Sequence, residues 1–344
     1  MRFVGIDLHK INSQICVLDD VTGELIERRV PTSAATYKEF FQGWAPTRIL
    51  IESATESEWV ARVLEELGHE VIVADPNFAP MYATLDKKVK TDKRDARALM
   101  EACKLGAYRK AHRVSDEQHR VRHQLMVRSV LVRSRTKMIN AARSLLRQDG
   151  YRVPSGDAAS FHIRVKEMTL GKEVRQILTP LLGSIEKLTN QIETCDDGIA
   201  QLGKGDTARR LQTVPGVGPV ISVAFISTLD NVERFPTARE VASYLGLVPS
   251  ESSSGEKQHR GGITKRGNSQ MRSLLIQAAH GILRRRAPMT EALHVWGNGI
   301  AMRKGKGVAV VALARRLCRI LYALWRDGAE YSPAALSRPQ DQAA

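Results

Sequence analysis

Four carboxylates in this chain are spaced so that they can share a divalent cation. Asp7 and Glu52 each end a short apolar run, Val4-Gly5-Ile6 and Ile49-Leu50-Ile51, and are expected at strand ends. Asp92 and Asp95 stand three apart at an expected helix start, which points both from one face. An all-oxygen ligand set of this kind suits Mg²⁺ or Mn²⁺ and leaves coordination positions open to phosphate. Two such ions ~4 Å apart activate one oxygen and stabilise another during phosphoryl transfer. Any one of these acids alone reads as well as a cap or a surface charge. The four together, in this order, point to a metal site.

Two further segments bear on phosphate chemistry. Thr213-Val214-Pro215-Gly216-Val217-Gly218-Pro219 precedes an apolar run, the pattern of a helix-hairpin-helix turn. There Gly216 and Gly218 would let backbone N–H groups approach a DNA phosphate. Ser250 to Gly255 reads as a flexible serine-rich loop, a feature rarely catalytic by itself. It runs into the cationic, glycine-rich stretch Arg260 to Asn268, in which Arg260, Lys265 and Arg266 could clamp a phosphate. A serine hydroxyl attacks phosphorus only with such help from a cation.

Secondary structure must position these residues. Arg2 to Asp7, Ile15 to Leu18 and Glu24 to Val30 are expected strands, followed by a helix at Thr36 to Trp44 and a strand at Arg48 to Glu52. A helix at Glu56 to Leu67, closed by Gly68, and a strand at Glu70 to Ala74 complete a ribonuclease-H-like order. Thr91 is the expected N-cap of a helix from Asp92 to Lys104. Ser115 to Gln148 is a long basic helix carrying Arg120, Arg128 and Arg135, with acids only at its start. So lopsided a helix favours a nucleic-acid face over a merely solvated one. From Val174 to Leu202 apolar residues recur at alternating steps of three and four, a coiled-coil seam. Pro180 is expected to start a new helix within it, and the seam serves either dimerisation or a hairpin inside the chain.

Composition bounds the rest. The 344 residues carry a formal charge of +15, the footprint of a polyanion-binding protein. Cys16, Cys103, Cys195 and Cys318 are too widely spaced for a zinc motif or a disulfide framework, so a reducing compartment is expected. No signal peptide is expected, and Val308 to Trp325 contains Arg315, Arg316 and Arg319, which makes it amphipathic rather than membrane-spanning. A cytoplasmic, nucleoid-associated protein without membrane contact follows. There is no P-loop motif.

Taken together, five segments resemble the DEDD insertion-sequence transposases, the Piv/MooV-like "one-ten" family. They are Val4-Gly5-Ile6-Asp7; Ile51-Glu52-Ser53-Ala54-Thr55; Val89-Lys90-Thr91-Asp92-Lys93-Arg94-Asp95-Ala96-Arg97; the Pro-Gly-Val-Gly turn; and Gly246-Leu247-Val248-Pro249 through Gly267. The family often has a glycine after its first Ile-Glu-Ala, where this chain has Ser53-Ala54-Thr55-Glu56-Ser57. The resemblance implies a RuvC-like domain of ribonuclease H fold over residues 1–160, a coiled-coil segment over 161–204, a mainly helical transposase domain over 205–335 and a tail over 336–344. It also implies that Asp7, Glu52, Asp92 and Asp95 hold Mg²⁺ or Mn²⁺.

The family's nucleophilic serine precedes a glycine five positions after the proline of Gly-Leu-x-Pro, which here is Ser254, with Ser252 and Ser253 beside it. The implied activity is DNA strand cleavage and exchange through a phosphoserine intermediate, without ATP. The implied partners are donor and target duplex DNA, a guide (bridge) RNA and further copies of the chain. Two readings compete: a RuvC-like Holliday-junction nuclease that uses water, and a non-catalytic nucleic-acid-binding protein.

Overall fold

Continuous burial from Phe3 to Ile6 along β1 (Arg2–Leu8) shows a strand covered on both faces of the N-terminal sheet. Val4 and Ile6 point to one side and Phe3 and Gly5 to the other, as a period of two requires. β2 (Asn12–Asp19) and β3 (Leu25–Pro31) follow as an antiparallel meander. Then come α1 (Ala34–Phe41), β4 (Arg48–Glu52), α2 (Ser57–Glu66), β5 (Glu70–Ala74), a 3-10 turn at Ala79–Tyr82 and α3 (Asp92–Leu105). The sheet order is β3-β2-β1-β4-β5, with β1, β4 and β5 parallel. This mixed five-stranded sheet is compatible with the nuclease-like order expected from the sequence. The computed structural model describes residues 2–83, 91–254 and 257–333, and for 252–260 the backbone alone. Val89 and Lys90 of the third matching segment, and the tail, lie outside the described residues.

One face of this sheet packs Val4, Ile6, Ile49 and Ile51 against Tyr37 and Phe41 of α1 and Val60 and Leu64 of α2. The other packs Phe3, Leu50, Ile72 and Ala74 under Leu99, Met100 and Cys103 of α3. Gly5 sits beneath α3, where a Cβ would lie 2.2 Å from the Met100 nitrogen and 2.3 Å from the Ala96 oxygen. Only a residue without a side chain lets the helix backbone come this close.

Residues 1–114 form one compact unit and 115–344 another. The second contains α4 (Asp116–Gln148), α5 (Phe161–Glu167), α6 (Lys172–Leu202), α7 (Asp206–Gln212), α8 (Pro219–Leu229), α9 (Ala238–Tyr244), a hairpin of β6 (Pro249–Ser254) and β7 (Lys257–Ile263), α10 (Ser269–Arg284), α11 (Glu291–Lys304) and α12 (Lys306–Asp327). Its core joins Leu211, Phe225, Leu275, Leu313, Leu317 and Leu321 with Val121 and Leu125 of α4. Residues 115–160, assigned from the sequence to the first domain, thus pack in the second unit. Among the described residues no helix is long and apolar enough to cross a membrane.

Two local expectations are corrected, and one left open takes one of its two forms. Pro180 lies inside a continuous α6 and does not start a new helix. Leu178, Leu182 and Ile185 on either side of it are buried against Ile139, Ala142 and Leu146 of α4, and this packing outweighs the one backbone bond a proline forfeits. The heptad seam therefore faces α4 of the same chain. The two helices run antiparallel, since Arg128 meets Asp196 and Arg135 meets Thr189. Finally, Pro249–Ser254 is not a loop but a strand paired antiparallel with Lys257–Ile263, because β7 gives its backbone a ladder that composition cannot reveal.

Candidate metal centre and serine hairpin

The register of the parallel pair places the first two acids. Ile6 stands beside Ile51, so Asp7 and Glu52, one residue further on, leave neighbouring strands at the same edge. By the period of two, both continue the face that α3 covers. Thr91 caps α3 with extended backbone, and its hydroxyl accepts from the Arg94 N–H at 3.4 Å. The first turn of α3 then carries Asp92 and Asp95, and the close approach at Gly5 holds that turn over the strand ends.

Asp7 feels the charges of the other three acids. Burial raises the pKa of Asp7 first; His9 lowers it, and the charges of Asp95, Asp92 and Glu52 each raise it again. Among the described residues Asp7 Oδ2, which is buried, accepts no hydrogen bond of good angle, although His9 Nε2 lies 3.1 Å away. That contact is too poorly angled for a formed hydrogen bond. The same imidazole nitrogen is 3.4 Å from Asp92 Oδ1, so His9 stands between the two carboxylates. One ligand atom each from Asp7, His9 and Asp92 lies within 4.8 Å of the others. Tyr82 donates its hydroxyl to Glu52 Oε2 at 2.5 Å, and burial followed by that hydrogen bond pushes the phenol well above its usual range. A buried, unbonded carboxylate oxygen amid crowded acids fits a divalent cation, whose charge relieves the repulsion.

His9 and Tyr82 were not singled out from the sequence. His9 had a usable signal: two residues beyond Asp7, it falls on the same side of the strand end. Tyr82 had none, since its contact with Glu52 spans 30 positions.

In the second unit, Ser252, Ser253 and Ser254 occupy the distal end of β6, paired with His259, Gln258 and Lys257. The side chains of Ser254 and Arg260, and Gly255 as a whole, lie outside the described residues. The basic loop after β7 is held from within. The buried Arg272 guanidinium donates to the carbonyls of Leu245 (3.0 Å) and Gly267 (3.2 Å) and to that of Arg266. Gly246 and Gly267 let two backbones touch: a Cβ on Gly267 would meet the Tyr244 oxygen at 2.0 Å. Between them Lys265, exposed, adopts a left-handed φ of 56°, a conformation that costs a non-glycine residue about 1 kcal/mol or more. Arg266 is also exposed.

The candidate nucleic-acid residues of α4 part company. Arg120 is exposed. Arg128 forms an ion pair with Asp196, and Arg135 donates to Thr189 Oγ1 at 3.3 Å, so both are turned to α6. Arg122 closes the end of α8 through the carbonyls of Ser227 (2.6 Å) and Thr228 (2.9 Å). Gly216 (φ 85°) and Gly218 are exposed in the turn between α7 and α8, with nothing within 4 Å of a Cβ built on Gly218.

Residues 208–294 match the family model described as "Transposase IS116/IS110/IS902 family", and residues 4–149 match the DEDD model of the same group, described as "Transposase". A "probable family 20 transposase" of Pseudomonas aeruginosa is 32% identical, the alignment covering 96% of this chain and 98% of that protein. The transposase for insertion sequence element IS1328 of Yersinia enterocolitica is 29% identical (96% and 99% covered). That for IS1111A of Coxiella burnetii is 27% identical (94% and 89%).

Proposed function

Since the chain belongs to the IS110 family of DEDD insertion-sequence transposases, we propose that it cleaves and rejoins DNA through a phosphoserine link on Ser254, with a divalent ion held by Asp7, Glu52, Asp92 and Asp95. Membership implies DNA binding, strand cleavage and strand transfer, and a DEDD domain implies use of a divalent metal. The observation that carries the rest is the buried Asp7 oxygen, without a hydrogen bond among the described residues and within reach of the charges of Asp92, Asp95 and Glu52.

When bound, Mg²⁺ or Mn²⁺ would supply positive charge to phosphate oxygens. The chain's own residues do the remainder. Tyr82 fixes the Glu52 carboxylate by its hydroxyl, and the α3 N-terminus over Gly5 fixes Asp92 and Asp95. In the second unit Lys265 and Arg266 offer cations on a loop braced by Arg272. There the Ser254 Oγ attacks phosphorus, its proton passes to solvent, and the bond to the leaving strand's deoxyribose oxygen breaks, that oxygen keeping the bonding pair and taking a proton from solvent. The hydroxyl of an incoming strand then attacks the same phosphorus and releases the serine with its proton restored. One phosphodiester is exchanged for another, so no external energy source is needed.

Donor and target DNA are the substrates. The partners we propose beyond them are a guide RNA, for which the charge of +15 leaves ample capacity, and further copies of the chain. Arg120, Arg260, Lys265 and Arg266, with the backbone at Gly216 and Gly218, are the contacts proposed for nucleic acid. Arg128 and Arg135 contribute through the α4–α6 pair. The deciding experiment is strand exchange with Ser254→Ala. Complete loss of exchange and cleavage supports the reading, whereas retained cleavage identifies a water-using nuclease.

A further inference from the structure

The segment 308–325, set aside above as merely amphipathic, turns its arginines into a cleft of about 1310 Å³ in the second unit. Arg315, Arg316 and Arg319 line it, and none of the three makes an ion pair among the described residues. Arg315 Nε has no hydrogen-bond partner among the described residues, and the charged side chains nearest it there include the cations Arg319 and Arg239. Arg316 stacks on Trp296, its guanidinium carbon 4.6 Å from the ring centroid. Val311 and Ile320 supply apolar wall, and Val308 at the mouth is half exposed. The carboxylates on the rim are Asp327, which pairs with Arg326, and Glu330.

Holding Arg315 and Arg316 half-buried beside the exposed Arg319 brings like charges together, which is costly for a chain that gains nothing from them. Multiple cations call for several negative charges, and the aromatic and aliphatic walls call for a flat or apolar group carried with them. An unpaired polynucleotide strand has both, whereas a duplex presents phosphates but keeps its bases stacked away. The cleft also reaches Pro249, Gly261 and Gly262 at the base of the β6–β7 hairpin and the exposed Lys265. Ser254 is five residues along β6 from Pro249, roughly 17 Å at strand rise.

We propose that this cleft binds unpaired nucleotides, with Arg315 and Arg319 on the phosphates and Trp296 against a base, and leads a strand toward the serine hairpin. The proposal rests on the transposase reading above but concerns a surface that the DEDD acids and the serine do not include.

The test is fluorescence anisotropy of labelled poly-dT, poly-U and a duplex on the full chain, across a salt series, for wild type and Arg315→Gln/Arg319→Gln. The variant is expected to bind poly-dT or poly-U about tenfold more weakly at low salt, with a log–log salt slope shallower by ~1.4, two phosphates' worth for a single strand. Loss on poly-dT alone assigns the cleft to DNA, and loss on poly-U alone to RNA; either supports the proposal, and the duplex should lose less. An unchanged slope for both single strands overturns it, as does an equal loss on the duplex or a change of oligomeric state without loss of binding. Should the double variant not fold, Arg319→Gln, at an exposed position, reads half the slope change. Wild-type protein that binds no nucleic acid would sink the transposase reading as well, whereas wild-type binding with an unaltered variant sinks the cleft alone.

Discussion

Gly5→Ala tests how the fold makes the metal centre without touching any ligand. The new methyl would lie 2.2 Å from the Met100 nitrogen and 2.3 Å from the Ala96 oxygen. Carbon atoms at rest sit about 3.5 Å from such neighbours, so α3 and β1 must separate by roughly 1 Å. Overpacking of this kind costs about 1–3 kcal/mol. The larger consequence is at the sheet edge. Asp92 and Asp95 ride on α3 while Asp7 and Glu52 ride on the strands, so the separation carries the two ligand pairs apart. Metal sites hold their distances to about 0.2 Å, and a 1 Å misplacement costs on the order of 10²-fold. Thermal unfolding with and without Mn²⁺ reads both effects. The metal-free Tm should fall by several degrees, and the extra stabilisation by Mn²⁺, about 2.7 kcal/mol at a hundredfold excess over Kd, should largely vanish at the same concentration. A variant that melts earlier yet keeps wild-type Mn²⁺ affinity would refute the idea that the Gly5 contact sets the ligand geometry.

Three further outcomes are expected. Asp7→Asn removes a carboxylate whose pKa burial and neighbouring acids hold above its ordinary value. Its ionisation opposes folding as pH rises through and beyond the carboxylate range, so the metal-free variant should melt a few degrees higher than wild type at pH 7, lose that advantage in acid, and show no Mn²⁺ response. Tyr82→Phe deletes the donor to Glu52 and should weaken Mn²⁺ binding about tenfold by calorimetry, the usual cost of losing a ligand's orienting partner; unaltered affinity would remove Tyr82 from the account. Arg272→Met leaves the Leu245 and Gly267 carbonyls without their donor and should lower stability by about 3 kcal/mol in urea titration, with poly-dT binding in the cleft weakened alongside.

What was legible in the sequence follows the range of the interactions involved. The strands carrying Asp7 and Glu52 announce themselves by apolar runs, and the start of α3 by Thr91 followed by acids, because these signals are local. The meeting of Asp7 and Glu52 at one edge needed only the parallel register of β1 and β4. Contacts distant in sequence were hidden: the Tyr82–Glu52 hydrogen bond, and the Arg128–Asp196 pair that turned an expected nucleic-acid contact toward α6. Pro180 and the serine strand misled for a related reason. A proline and three serines weaken a helix and a strand locally, while α4 and β7 supply from elsewhere the packing and the ladder that restore them. Charge counting met the same limit, since it marked α4 as the basic face while Arg315, Arg316 and Arg319 lie on a helix whose apolar positions dominate its reading.

The central claim, a phosphoserine exchange by a DEDD transposase, is tested most directly by trapping the covalent complex. Protein turning over a suicide donor DNA in Mn²⁺ is quenched in denaturant, digested, and the nucleotide-bearing peptide sequenced by mass spectrometry. The account predicts an adduct on Ser254, absent from Ser254→Ala and from Asp92→Ala. An adduct on any residue outside Ser252 to Ser254, or cleaved DNA with no adduct at all, would contradict it.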